Sequence, residues 1–198
     1  MIKFDTLEIK DEGPIGEIIL NRPKRLNALT IHMLNELADA ARWFDQRPDI
    51  RVVIVSGNGR AFSAGADLEG FPKPEDPDAR AAADAGRRMA EAIENMNAIA
   101  IARIHGWCVG GGLVVAAACD LRVASSDARF SIPEVDLGIP LAWGGIPRLV
   151  REIGPALTKE LVITCREFSA EEAGRSSFLN HVVSTNELEK TVDKLANT

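Results

Sequence analysis

Ile99-Ala-Ile-Ala-Arg-Ile-His105-Gly-Trp-Cys-Val-Gly110-Gly-Gly-Leu-Val-Val-Ala-Ala-Ala-Cys119 carries three local signals in succession. Ile99 to His105 reads as an apolar strand. Gly106 to Gly112 is a glycine-rich turn, and Leu113 to Cys119 is an apolar helix. A second stretch repeats the design upstream. Val52-Val-Ile-Val55 is a short continuous apolar strand of the kind buried on both faces, and it runs through Ser56-Gly-Asn-Gly-Arg-Ala-Phe-Ser-Ala-Gly-Ala-Asp67. Each turn is expected to open a helix. The first N–H groups of a helix have no partner within it, and glycine lets a ligand approach the backbone closely. Two such N–H groups aimed at one point can hold an anionic oxygen. Each loop alone is equally read as a tight turn that permits close packing, and spacing does not establish that the two converge.

Outward from these two stretches, strands alternate with helices, which sets the class as α/β. Phe4 to Ile9 and Ile15 to Leu20 read as a hairpin around Asp11-Glu-Gly-Pro14. Thr30 is the expected N-cap of a helix bearing Leu34, Leu37, Ala38, Ala41 and Phe44 on one face. The Pro- and Asp-rich stretch Phe71 to Asp78 reads as a mobile loop, and an Ala-rich helix follows to about Asn97. Leu121 to Ala124 and Ala128 to Ser131 read as short strands, Pro133 to Gly145 as loop. Helical stretches are expected over Pro147–Glu152, Pro155–Thr164 and Ala170–Arg175. The chain ends within an amphipathic pattern, Leu188, Val192 and Leu195.

Bulk properties narrow the function. The 198 residues suit one domain with a sizeable core. A net charge of -6 argues against nucleic acid as the main partner. Met1 is followed at once by Lys3, Asp5 and Glu8, so no signal peptide is expected, and no apolar run approaches a membrane span. Cys108, Cys119 and Cys165 form no CxxC and read as free thiols in a reducing cytoplasm. His32, His105 and His181 show no metal-ligand spacing, and no metal is expected. Gly57-Asn-Gly59-Arg-Ala-Phe62 lacks the third glycine of a dinucleotide fingerprint, and neither a P-loop nor a G-x-S-x-G elbow occurs. Ser63 is therefore a poor nucleophile candidate.

Glu134 stands in the apolar surroundings of Phe130-Ser-Ile-Pro-Glu-Val-Asp-Leu-Gly138. A carboxylate placed there can have a raised pKa and act as a general base. A solvated loop glutamate is the other reading, and Asp136 competes for the same role. Asp67 reads as a helix-start or turn residue, and His105 as a satisfied buried histidine. Arg22, Lys24 and Arg25 form the one dense basic cluster outside helices, either solvated charge or a phosphate contact.

Five blocks in order resemble the crotonase, or enoyl-CoA hydratase/isomerase, family. They are Leu20-Asn-Arg-Pro-Lys-Arg-Leu-Asn-Ala-Leu29, Ala61-Phe-Ser-Ala-Gly-Ala-Asp-Leu68, His105-Gly106 with Gly110-Gly-Gly112, Ala118-Cys-Asp-Leu-Arg-Val-Ala124, and Phe130 to Leu149. The resemblance implies a ββα spiral core over residues 1–145 and the start of a helical C-terminal region over 146–198, together one crotonase-like domain. It also implies a coenzyme A thioester as substrate, no separate cofactor, and a homotrimer or dimer of trimers. Carried over by position, the oxyanion N–H groups fall on Ala66 and Gly111, with Gly110 beside them. Ala64 and Leu68 fall where bent CoA is lined, and Lys24 or Arg25 near its phosphates. Family members usually continue past this end with further helices, so the expectation is a chain cut short at Thr198.

The family's hydratases resemble one another in using two glutamates to hold and activate water. The second falls on Glu134, but the first falls on Val114, which cannot exchange a proton. Isomerases that resemble this chain work with one glutamate at the Glu134 position. The dienoyl-CoA isomerases add carboxylates at the positions of Val114 and Ala142, both apolar here. The expected activity is therefore isomerisation of 3-enoyl-CoA to 2-enoyl-CoA, with Val114 beside the substrate. A 2-enoyl-CoA hydratase and a non-catalytic acyl-CoA-binding homologue are the alternatives.

Overall fold

The computed structural model describes residues 3–70 and 79–198. The Phe71–Asp78 loop expected above lies outside them. Strands β1 (Leu7–Glu12) and β2 (Ile15–Leu20) form the antiparallel hairpin. A short 3-10 turn over Pro23–Arg25 leads to α1 (Ile31–Asp45), where the Thr30 hydroxyl accepts from the Met33 N–H as the N-cap. Then come β3 (Val52–Gly57), β4 (Ala61–Ser63), α2 (Ala79–Glu94), β5 (Ile99–Ile104), β6 (Trp107–Val109) and α3 (Gly111–Ala118). They are followed by β7 (Leu121–Ser125), β8 (Arg129–Ser131), α4 (Gly145–Thr164), β9 (Phe168–Ser169), α5 (Ala170–Arg175), β10 (His181–Val183) and α6 (Leu188–Ala196).

Each strand–strand–helix turn gives one strand to each of two sheets. The larger sheet runs β1-β2-β3-β5-β7-β10 and the smaller β4-β6-β8-β9. From β2 onward the larger sheet is parallel, and β4, β6 and β8 are also parallel to one another. This is the winding of a ββα spiral. The sequence reading lacked β4, β6, β9 and β10, which have two or three residues each and too little length for a periodic signal. Pro147–Glu152 and Pro155–Thr164 are the two arms of α4, with the non-helical backbone of Gly154 before Pro155 as the joint.

The continuous apolar runs of β3 and β5 reflect burial on both faces. Val53, Val55, Ala100, Ala102, Ile104 and Ala124 face the main core with α1, α2 and α3. Ile54, Ile101 and Val123 face the other way, where Leu188 and Val192 of α6 cover them. The amphipathic pattern that ends the chain thus closes the second face of the sheet. Among the described residues no helix is long and apolar enough to cross a membrane. Cys108 and Cys119 are buried, and burial pushes the Cys119 thiol up to about 12 and that of Cys108 upward as well.

Arg122 is the main polar tie within the core. It is buried on β7, and its guanidinium donates to the carbonyls of Phe178 (2.6 Å) and Cys119 (2.6 Å) and pairs with Glu152 of α4 (2.5 Å). Removing one member of such a set leaves buried acceptors without donors. Arg122→Met is expected to lower stability by about 3 kcal/mol, read as a fall in the urea midpoint with an unchanged native circular dichroism spectrum. An unaltered midpoint would mean that the tie is dispensable.

Candidate active site

The two glycine-rich stretches meet, and by different geometry. Gly111 is the first residue of α3, with Gly110 as N-cap (φ +46). The Gly110 N–H donates to the Ser131 carbonyl at 2.9 Å, while the Gly111 N–H, in the first turn of the helix, has no intramolecular acceptor among the described residues. The upstream stretch does not open a helix, contrary to the expectation for it; of the two readings of Asp67, helix start or turn, the structure has the turn. Ala66 instead forms a parallel β-bridge with Leu29, and Asp67 enters a turn closed by the Gly70 N–H on its carbonyl. In that bridge Leu29 donates to Gly65 (2.8 Å) and Asp67 donates to Leu29 (2.9 Å). The N–H of Ala66, between them, therefore points away from Leu29, and among the described residues it has no intramolecular acceptor.

Gly65 brings the segments together. Its φ is +87, and a Cβ built on it would stand 2.8 Å from the Val109 carbonyl oxygen and 3.5 Å from the Gly111 nitrogen. Any side chain there would push apart the two segments that carry the unbonded N–H groups. Such a pair can hold a developing oxyanion.

Glu134 lies beside this pair. A Cβ on Gly110 would overlap its Oε1, so the carboxyl group rests directly on the N-cap of α3. Glu134 is only 9% exposed, and its Oε2 has no hydrogen-bond partner among the described residues. Burial holds its pKa above the ordinary carboxyl range, partly offset by a backbone hydrogen bond. Asp136, the competitor, is exposed on the surface turn. Val114 lies one helical turn beyond Gly110, donating its N–H to the Gly110 carbonyl at 3.2 Å. Its side chain is buried in the main core, where a Cβ on Gly145 would come within 2.8 Å of its Cγ2.

The basic loop is fixed by a residue that the sequence reading passed over. Asn27 is fully buried with φ +54, and its amide donates to the carbonyls of Asn58, Ala61 and Phe62 while its oxygen accepts from the Arg22 N–H. Ser63 is likewise structural: its hydroxyl donates to the Asn27 carbonyl at 2.8 Å and accepts from the Gly65 N–H at 3.2 Å. Arg22 pairs with the buried Asp67 at 2.8 Å. Arg25 pairs with Glu69 and lies 3.9 Å from Asp67. Lys24 is exposed, with no ion-pair partner among the described residues. Ala64, half-buried, donates its N–H to the Leu26 carbonyl at 2.9 Å, and Leu68 is 53% exposed on the adjoining surface. His105 is half-buried, with Nε2 at 2.9 Å from the Gly59 carbonyl.

The family model for enoyl-CoA hydratase/isomerase matches residues 10–198. The chain is 36% identical to the crotonyl-CoA hydratase of Syntrophomonas wolfei, over 98% of its own length and 75% of that protein's. It is also 36% identical to the peroxisomal Delta(3,5)-Delta(2,4)-dienoyl-CoA isomerase of Arabidopsis thaliana, over 99% of its length and 76% of the relative's. An enoyl-CoA hydratase/carnithine racemase from Magnetospirillum magneticum has a solved structure that superposes with a TM-score of 0.94 at 32% identity, covering 98% of this chain and 74% of that one. These matches bear out the resemblance read from the five sequence blocks and the spiral class of the fold.

The buried carboxyl has a measurable consequence. Because its folded pKa is raised, the native state holds this proton more firmly than the unfolded chain does. Stability therefore falls as pH rises from about 4.3, the ordinary glutamate value, through the folded value. Glu134→Gln, neutral throughout, is expected to be more stable than the parent at neutral pH, with the gap closing below about pH 4. Urea unfolding of both proteins across this range reads the difference, and a gap independent of pH would contradict a raised pKa.

Proposed function

This chain belongs to the enoyl-CoA hydratase/isomerase family, and from that premise we propose that it moves the double bond of a 3-enoyl-CoA to the 2-position, with Glu134 as the sole acid-base group. The Glu134 carboxylate takes a proton from C2. The electron pair moves into the thioester carbonyl, and the N–H groups of Ala66 and Gly111 hold the resulting enolate oxygen. The glutamic acid returns its proton at C4 as the pair forms the C2–C3 double bond. Proton and electrons balance within the substrate and one carboxyl group, so the scheme needs no cofactor beyond the coenzyme A of the substrate.

The supporting observation is a buried carboxyl that rests on Gly110 beside the Ala66 and Gly111 segments, its Oε2 without a partner among the described residues, with valine one helical turn on. Holding a water for hydration is a task for two carboxylates, and position 114 supplies none. The relatives named as hydratases favour a second reading, a 2-enoyl-CoA hydratase that works with one glutamate. Lys24 is the best-placed cation for the CoA phosphates, since Arg22 and Arg25 are engaged by Asp67 and Glu69.

Incubation with 3-enoyl-CoA and 2-enoyl-CoA separately distinguishes the two readings. Isomer from the former, with little hydroxyacyl product from the latter, is expected. Efficient hydration by the parent would put the second reading first. In Glu134→Gln, exchange of C2 protons with deuterated water is expected to stop while CoA esters still bind; surviving exchange would place the base elsewhere. Val114→Glu is expected to add hydration at some loss of stability, since it buries a carboxylate. For the phosphate contact, Lys24→Glu is expected to raise KM more at low than at high salt, because exposed charges are screened. A change confined to kcat would rule that contact out.

A further inference from the structure

Three unfavourable local choices meet at one indole. Trp143 has φ +59, a region that crowds a bulky L-residue. Gly86 lies in the middle of α2, where glycine weakens a helix, and a Cβ on it would overlap the five-membered ring of Trp143. At the start of α3, a Cβ on Gly111 would overlap Cζ3 of the same indole and stand 2.8 Å from its Cη2. The ring is thus seated against two helices, and both have given up a side chain to admit it.

The turn that carries it is braced as well. The buried Arg148 donates to the carbonyls of Trp143 (3.2 Å) and Gly144 (3.1 Å), and its guanidinium pairs with Glu94 of α2. Only 8% of Trp143 is exposed. Core packing alone rarely places a large aromatic ring on a left-handed backbone over a helix start. Here the ring covers the residue whose N–H faces the proposed oxyanion, next to the glycine that seats Glu134.

We propose that Trp143 is the specificity-determining wall of the acyl chamber, restricting the enzyme to short acyl thioesters. This inference rests on reading the site as an acyl-CoA site. A substrate with its thioester oxygen at Ala66 and Gly111, and with C2 and C4 in reach of Glu134, runs its chain past Gly110 and Gly111. The indole closes that space, so short acyl groups fit and longer ones meet the ring. Trp143 does no chemistry in this role.

The test uses saturated esters, which bind without reacting. Calorimetric titration of the parent is expected to show butanoyl-CoA binding about tenfold or more tightly than dodecanoyl-CoA. Trp143→Gly, which suits the positive φ, is expected to level or invert that ratio. Trp143→Phe keeps an aromatic ring of smaller size and is expected to fall between, which preserves the test if the glycine variant does not fold. A parent that binds both esters alike, or a folded Trp143→Gly with the parent's ratio, would overturn the proposal. The two readings fail separately. Length discrimination without turnover of 3-enoyl-CoA sinks the isomerase and leaves the wall, whereas turnover that is blind to chain length does the reverse.

Discussion

The site depends on one close approach of backbone to backbone, Gly65 against Val109 and Gly111. Both N–H groups of the proposed oxyanion site are attached to those two segments, and Glu134 rests against one of them at Gly110. Among the described residues the N–H of Ala66 is left unbonded because its neighbours on both sides are committed to Leu29, and that of Gly111 because a helix begins there. Different secondary structures thus leave donors over at neighbouring positions. The spiral makes the meeting inevitable: β4 and β6 are adjacent parallel strands of the smaller sheet, so the segments that leave their ends are adjacent too. Buried Asn27 and Ser63 then fix the upstream segment from behind.

The same close packing buries Glu134. Its carboxyl lies where Gly110 has no side chain, and with Oε2 unpartnered among the described residues the charged form is poorly solvated. A group in that state is a poor structural element and a good proton carrier, because a raised pKa brings its two protonation states closer in free energy near neutral pH. The cost of burying it is borne by the rest of the core, where the Arg122 and Arg148 ties link β7, α2 and α4.

Much of this was legible in the sequence, unevenly and for physical reasons. The longer elements declared themselves: β3 and β5 as unbroken apolar runs and α1 by its Thr30 cap and apolar face. Strands of two or three residues, β4, β6, β9 and β10, have no period to detect and exist through their neighbours in the sheet. Glu134, Ala66 and Gly111 could be named by their place in the family's blocks, and Glu134 also by its apolar surroundings. That the glycine-rich stretches meet was not legible from spacing, since it depends on strand order, and only the family resemblance implied it. Nor was the route to a free N–H at Ala66, where a β-bridge stands in place of the expected helix start. Asn27 and Trp143 were missed because their signals are conformational: each has positive φ, a property that an Asn hints at weakly and a Trp not at all.

Glu134, Val114 and Trp143 make sense as one arrangement under the proposed activity. An isomerase must return to C4 the proton it took from C2, so its base must keep that proton while the enolate exists. A second polar group nearby would offer the proton another acceptor, or anchor a water able to attack the product. Val114, one turn along α3 and buried, removes the group that would do either. Trp143 excludes solvent over Gly111 with a flat apolar surface. Burial raises the pKa of Glu134, which favours its protonated form at the moment when it must hold the proton. Under this reading a site closed to water and an acid that keeps its proton serve the same reaction, and a shorter acyl chamber follows from filling it with indole.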